Sequence, residues 1–139
     1  MSDYQDYNRK LIADFRATRD KGETPSEGRS LVLLTTTGAK TGKLHTTPVR
    51  AFFDGDITYV LGSKGGAPTH PDWYRNLVAH PEVTVEAAKE TFKAKAVVVS
   101  GEERERLWAK AVATEPGFGE YQAKTTRQIP VVILERRKG

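Results

Sequence analysis

The chain has 139 residues, of which 37% are hydrophobic and 29% charged, a composition typical of one soluble globular domain. Its 22 basic and 18 acidic residues give a net charge of +4, and the absence of cysteine excludes disulfides and thiolate metal sites. No apolar run reaches the roughly 20 residues of a membrane-spanning helix, and the N-terminus lacks the pattern of a signal peptide. We therefore expect a cytoplasmic protein.

Residues 1–29 are predicted to form an amphipathic helix and a linker. Apolar residues share one helical face over residues 3–19, and the polar, Gly- and Pro-containing segment 20–29 favours a loop. The apolar face consists of Tyr4, Tyr7, Leu11, Ile12 and Phe15. The helix can pack on the rest of the chain, cover a site or make a weak peripheral contact with the inner face of the membrane. Packing is favoured because the apolar face is short and rich in tyrosine.

Six strand patterns follow within residues 30–139, which we predict to form the cofactor-binding domain. The predicted strands cover residues 30–36, 46–53, 57–61, 83–87, 91–99 and 129–135. Two short helices interrupt them, one from Pro71 to about Ala79 and one opened by Ser100 with Glu103 in a capping-box pattern. Gly55 marks a tight hairpin between the second and third strands. Hairpin-linked strands with short helices indicate an antiparallel barrel.

Two glycine–lysine loops each follow an apolar strand pattern. The first spans residues 37–43 and the second residues 63–66. Glycines let backbone N–H groups approach a ligand, and the second loop leads towards a helix N-terminus, so each loop resembles an anion cradle. Basic residues cluster around them, namely Lys40, Lys43, Arg50, Lys64 and Arg75. Together the loops suggest a phosphate-bearing ligand rather than nucleic acid, for which no basic helix or aromatic RNA-binding motif is present.

The chain lacks the motifs of a protein-borne reactive group. Three residues separate Gly38 from Gly42, where a nucleotide-triphosphate loop has four, and Leu44 stands where such a loop has Ser or Thr. The three histidines have no metal-ligand spacing, and Ser63 is not flanked as a hydrolase nucleophile is. If the protein is an enzyme, we expect a bound cofactor to supply the chemistry.

Four motifs in register resemble the deazaflavin-dependent nitroreductase and F420H2-dependent quinone reductase family of actinobacteria. They are residues 33–42, Pro48, residues 63–66 and residues 71–77, and the resemblance runs from about residue 31 to residue 135. It implies a mainly β (α+β) fold, a split β-barrel of about six antiparallel strands with three short helices. It also implies coenzyme F420, an 8-hydroxy-5-deazaflavin with a phosphate and an oligoglutamate tail.

The resemblance assigns roles residue by residue. Lys40 and backbone N–H groups of the first loop would hold the phosphate. Our own hypothesis is that Ser63 and Tyr121 are catalytic, as hydrogen-bond donors to the negative charge that develops on the acceptor. Glu115, Phe118 and Tyr121 occupy the positions of substrate-binding residues. The cofactor-binding positions are Ala39, Lys40, Thr41, His45, Thr46, Thr47, Pro48, Val49, Arg50, Leu61, Gly62, Ser63, Lys64, Asp72, Trp73, Tyr74, Arg75, Asn76 and Tyr121.

Membership would make the protein a reductase that transfers a hydride from reduced F420 to a small electron-poor acceptor, such as a quinone, an activated enone or a nitro compound. Ala39 replaces an arginine of the family's characterised nitroreductase, which implies weaker or rearranged contacts to the phosphate and tail. Glu115 and Phe118 replace two of its tyrosines, which argues against bulky nitroimidazoles as substrates. The alternatives are a split-barrel oxidoreductase that uses flavin mononucleotide (FMN) and a non-catalytic F420 carrier.

Overall fold

The computed structural model describes residues 3–18, 31–87 and 90–137. The helices are α1 (Asp3–Thr18), α2 (Asp72–Ala79), α3 (Gly101–Thr114) and α4 (Gly117–Ala123). The strands are β1 (Leu31–Thr37), β2 (Leu44–Asp54), β3 (Ile57–Leu61), β4 (Glu82–Glu86), β5 (Thr91–Val99) and β6 (Val131–Arg136). The predicted linker at 20–29 and the side chains of Tyr4 and Tyr7 lie outside the described part.

The six strands form a closed antiparallel barrel in the order β1-β2-β3-β6-β5-β4, with β4 pairing back onto β1. The tight hairpin between β2 and β3 turns at Gly55, which has a φ of +60°, a value that glycine adopts without steric strain. The predicted fold, a mainly β split barrel of six antiparallel strands, is confirmed. All six predicted strands match the observed strands within two residues at each end.

Alternating side chains place two apolar clusters on opposite faces of the barrel wall. The interior cluster takes residues from all six strands, such as Val60 of β3, and α2 adds Trp73 and Leu77. The outer cluster contains Tyr59 and Leu61, the residues on either side of Val60, and α3 covers this cluster. Both faces of β3 are therefore buried, which fixes the segment that follows it.

The helix content differs from the predicted three short helices. The described residues contain four α-helices, and α4 was not predicted because Glu115-Pro116-Gly117 reads as a helix end. Two glycines make α4 weak by propensity, but Phe118 and Tyr121 pack against the outer cluster and hold it in place. Ser100 precedes α3 without a side-chain capping bond, so the predicted capping box is not formed.

Helix α1 lies against the barrel. Phe15 is completely buried, and the Arg16 guanidinium donates two hydrogen bonds of 3.1 and 2.8 Å to the Glu86 carboxylate of β4. None of the described helices is long and apolar enough to cross a membrane. Peripheral membrane contact and the division at residue 29 stay predictions.

Candidate functional site

The first loop, residues 38–43, has a main chain fixed largely by its own hydrogen bonds. The Gly38 N–H donates to the Lys43 carbonyl at 2.7 Å, and the Gly42 N–H to the Gly38 carbonyl at 2.9 Å. Gly38 has no room for a side chain, because a Cβ there would lie 2.7 Å from Thr41 Oγ1. The Lys43 N–H donates to the same Thr41 hydroxyl at 3.2 Å. The exposed Lys40 therefore stands on a rigid support.

Asn76 of α2 joins this loop to the barrel. Its side-chain amide donates to Thr36 Oγ1 at 3.1 Å and its oxygen accepts the Ala39 N–H at 3.0 Å. With Ala39 bound in this way, four of the six N–H groups of the first loop already have partners within the protein. Among the described contacts, only the N–H groups of Lys40 and Thr41 lack such a partner. Phosphate binding by the main chain of this loop stays a prediction, and these two groups are the ones available for it.

The second loop, residues 63–66, is a 3-10 turn that packs against α4. Gly66 has a φ of +84°, and a Cβ there would lie 2.7 Å from the Tyr121 carbonyl oxygen. Lys64 also has a positive φ, +46°, which is uncommon for a residue with a side chain. Such backbone conformations persist where surrounding contacts impose them, often beside a ligand.

Arg127 binds the main chain at both ends of this loop, and it was not among the predicted site residues. Its guanidinium donates to the carbonyls of Ala67 at 2.9 Å, Gly62 at 3.0 Å and Ser63 at 2.8 Å. It also lies 3.1 Å from Nδ1 of His70. Arg127 follows α4 and is about 60 residues from its partners, so no local pattern could have indicated this role.

The contact between Arg127 and His70 sets the protonation of the imidazole. Burial, followed by the positive charges of Arg127 and Arg75, lowers the pKa of His70 below its usual 6.5. Because a guanidinium can only donate, Nδ1 must accept, which leaves the neutral ring with its proton on Nε2. Burial likewise lowers the pKa of Arg127, which stays charged.

A groove in two neighbouring parts runs along β2, between the two loops. The parts have volumes of about 640 and 830 Å³, and Thr47, Asp72 and Trp73 line both. The smaller part, here called the aromatic end, is lined by Pro48, Val49, Arg50, Leu61, Ser63, Lys64, Phe118 and Tyr121 with Asn8 and Pro71. The larger part, here called the basic end, is lined by Arg9, Gly38, Ala39, Lys40, Thr41, Leu44, His45, Thr46, Arg75 and Asn76.

The aromatic end is anchored in the protein core. Phe118 contacts Phe52 and Tyr121 edge to face, with ring centroids 5.4 Å apart in both pairs. Phe52 in turn stacks on Tyr59, whose hydroxyl donates to the Leu107 carbonyl at 2.7 Å. Phe52 and Tyr59 are therefore core residues, as predicted, and they fix the Phe118 ring that borders the groove.

Of the 21 predicted site positions, 18 line this groove. Among the others, Gly62 is occupied by bonds to Pro130 and Arg127, and Tyr74 packs beside His70 and the interior cluster. Glu115 is not among the lining residues, and its carboxylate lies 3.4 Å from Nη2 of Arg50. Lining residues that the sequence analysis missed are Asn8, Arg9, Gly38, Leu44 and Pro71. Asn8 and Arg9 come from α1, whose amphipathic pattern predicts that it packs but not where on the barrel it does so.

The residues at the basic end suit an extended anionic group. Arg9, Lys40 and Arg75 are exposed side chains along this part of the groove, and Asp72 is the single acidic residue among those that line it. Charge-assisted hydrogen bonds to phosphate and carboxylate oxygens are the strongest contacts available to such groups. The adjoining aromatic end can accept a planar ring.

The chain matches the model of the F420H(2)-dependent quinone reductase family over residues 7–136. It belongs to this family. The F420H(2)-dependent quinone reductase Rv1261c of Mycobacterium tuberculosis is 40% identical over 109 residues, which cover 76% of this chain and 73% of that protein.

Two solved structures agree with this membership. An F420-H2 dependent reductase, FDR-A, is 43% identical with a TM-score of 0.70, and the match covers 76% of this chain and 93% of that one. A domain-swapped dimer is 38% identical with a TM-score of 0.74, over 96% of this chain and 98% of that one. The predictions of an oxidoreductase and of coenzyme F420 are confirmed by the family, which favours them over the FMN and carrier alternatives.

Proposed function

We propose that this protein transfers a hydride from reduced F420 to a quinone, and also to activated enones. The observation that carries the proposal is that the two ends of the groove lie side by side and share Thr47, Asp72 and Trp73 in their lining. A single ligand can place an anionic tail against exposed cations at one end and a planar ring against aromatic side chains at the other. Nitro compounds are a second acceptor class, for which the replacement of two tyrosines by Glu115 and Phe118 predicts poorer turnover.

At the basic end, Lys40 supplies the main phosphate contact. The first loop is held by its own hydrogen bonds and by Asn76, so the lysine is presented without rearrangement of the backbone. The N–H groups of Lys40 and Thr41 can add to this contact. Arg9 and Arg75 extend the positive charge along the groove, where the carboxylates of an oligoglutamate tail would lie.

At the aromatic end, bound reduced F420 supplies a hydride, and the protein orients the acceptor and stabilises the charge that develops on it. Ser63 is nearly buried and lines the groove, and its backbone is fixed by Arg127. Tyr121 is held by Phe118 and by the packing of Gly66 on its carbonyl. Hydroxyl groups fixed in this way donate hydrogen bonds to a developing oxyanion without reorganisation, which lowers the barrier.

Turnover of reduced F420 with menadione, cyclohexenone and a nitroimidazole, measured anaerobically by the return of deazaflavin fluorescence, tests the activity. We expect the quinone to give the fastest reoxidation and the nitroimidazole the slowest. If no acceptor raises the rate above that of the buffer, the proposed activity is wrong even though F420 binds.

Two variants test the two hydroxyl groups. Ser63→Ala and Tyr121→Phe should each lower kcat about tenfold or more and leave the Kd for F420 nearly unchanged. Ser100→Ala is the matched control, because Ser100 is exposed and makes no capping bond. Loss of F420 binding in parallel with kcat would indicate a role in cofactor binding instead.

A further inference from the structure

Arg50 of β2 is an unusual residue for the wall of a substrate groove. It lines the aromatic end, and its side chain is only 20% exposed. Its guanidinium lies over the Phe52 ring, 5.2 Å from the centroid, and its Nη2 is 3.4 Å from the Glu115 carboxylate. That separation is longer than the 2.7–2.9 Å of a strong charge-assisted hydrogen bond.

Two nitrogens of the Arg50 guanidinium have no acceptor among the described residues. Nε and Nη1 are both shielded from solvent, and neither has a hydrogen-bond partner within the part of the chain that the structure describes. A buried donor without an acceptor is costly, and more so when it carries charge. Arg50 is therefore a guanidinium with one long ion pair and unused hydrogen-bonding capacity beside the groove.

The position of Arg50 associates it with the acceptor rather than with the cofactor tail. Its contacts are Phe52, which touches Phe118, and Glu115, which precedes α4. Phe118 and Tyr121 of α4 form the same wall, whereas the exposed cations of the tail contact lie at the basic end. The resemblance that groups Arg50 with the cofactor contacts does not account for this placement.

We propose that Arg50 makes the protein selective for acceptors that carry a carboxylate, which Arg50 binds in place of Glu115. A carboxylate can pair with Nη2 together with either Nε or Nη1, and both arrangements use a donor that now lacks a partner. Glu115 is then a competitor that holds the guanidinium until the acceptor arrives. The inference deepens the proposed function and rests on it, since it names the class of acceptor.

The test compares 2-naphthoate with 2-naphthamide, two aromatic ligands of the same shape that differ in charge. Binding to the protein saturated with oxidised F420 is measured by calorimetry, so that the cofactor already occupies the basic end. We expect the carboxylate to bind about tenfold more tightly than the amide. Equal affinity for the two ligands would overturn the proposal.

Variants assign the preference to Arg50. Arg50→Met should reduce the ratio of the affinities for 2-naphthoate and 2-naphthamide to about twofold or less. Arg50→Lys should keep part of this preference, because lysine provides charge without the planar fork. Arg136→Met is the matched control, since Arg136 also lies over an aromatic ring and pairs with a glutamate, but on β6 away from the groove. A preference that persists in Arg50→Met would contradict the proposal.

Glu115→Gln provides a second readout that does not depend on the stability of the Arg50 variants. Removal of the competing carboxylate should strengthen 2-naphthoate binding several-fold and leave 2-naphthamide unchanged. Weaker 2-naphthoate binding would show that Glu115 positions the arginine for another purpose. That result would overturn the proposal that the ligand carboxylate replaces Glu115 as the partner of Arg50. If F420 does not bind at all, the proposed function fails, and the charge preference can still be measured without cofactor.

Discussion

The two ends of the groove hold their positive charges in different ways. At the basic end Arg9, Lys40 and Arg75 are exposed, so their attraction for an anion is long-ranged, screened by salt and tolerant of geometry. At the aromatic end the Arg50 guanidinium is mostly covered, in surroundings where an ion pair is stronger and depends on fit. The first arrangement suits a flexible tail of variable length, and the second suits discrimination between small acceptors.

The structural supports of the two ends differ as well. The first loop is closed by its own main chain and by Asn76, whereas the second loop depends on Arg127 and on close packing against α4. The aromatic end should therefore be the more sensitive to distant substitutions.

Arg127→Ala should have the largest effect and should disrupt the aromatic end. The change removes the donor from three backbone carbonyls and from His70, so we expect a loss of about 3–4 kcal/mol in the free energy of unfolding, measured with urea. Arg136→Ala removes an exposed arginine and should change little. If Arg127→Ala loses no more stability than Arg136→Ala, the contacts of Arg127 do not stabilise the fold.

Gly66→Ala should act on the contact between the second loop and α4. The new Cβ meets the Tyr121 carbonyl and the φ of +84° is unfavourable, so the expected destabilisation is about 2–3 kcal/mol. Gly55→Ala is a control with a similar φ, +60°, and open space around the Cβ, so it should cost about 1 kcal/mol. The difference between the two, read from urea unfolding, measures the steric contribution; no difference would mean that α4 moves aside freely.

Lys40→Ala tests the basic end alone. Loss of one exposed charge-assisted contact should weaken F420 binding about tenfold, measured by fluorescence quenching, with no effect on the 2-naphthoate preference. The deazaflavin without phosphate and tail should bind the variant and the parent equally. If its affinity also falls, Lys40 acts on the ring or on the fold rather than on the phosphate.

A change of pH should have the smallest effect on the free energy of unfolding, and it should act on the second loop through protonation of His70. The pKa of His70 is lowered in the folded protein, so its contribution to stability is complete above pH 6.5 and is lost as the pH falls through the folded pKa. Urea unfolding between pH 7.5 and 5 should show a small decline that is reduced in His70→Gln. The exposed His80 supplies the control His80→Gln, which should retain the decline.

The sequence predicted those parts of the site that depend on local chemistry. The two glycine–lysine loops and the hairpin at Gly55 are turn patterns. β3 is a short apolar run that follows a turn, and β5 contains an alternating segment, so all of these features are found where expected. The hydrogen-bond partners of the first loop were not predictable in the same way, because they involve Asn76 from another element.

Features made by distant contacts were missed for the same reason. Helix α4 contains glycines and begins after a proline, and it forms because Phe118 and Tyr121 pack on the outer cluster. Arg127 lies in an irregular segment, and its role depends on carbonyls that the barrel brings to it. Asn8 and Arg9 reach the groove only because α1 docks on the barrel through Phe15 and Arg16.

The docking of α1 has a practical consequence for how affinities are measured. Asp3 begins this helix, and Arg9 lies six residues later, so the start of the helix is about 9 Å from a residue at the edge of the basic end. A purification tag fused ahead of Asp3 would place histidines or acidic residues within reach of the cations that bind the tail. Dissociation constants should therefore be determined on protein from which an N-terminal tag has been cleaved.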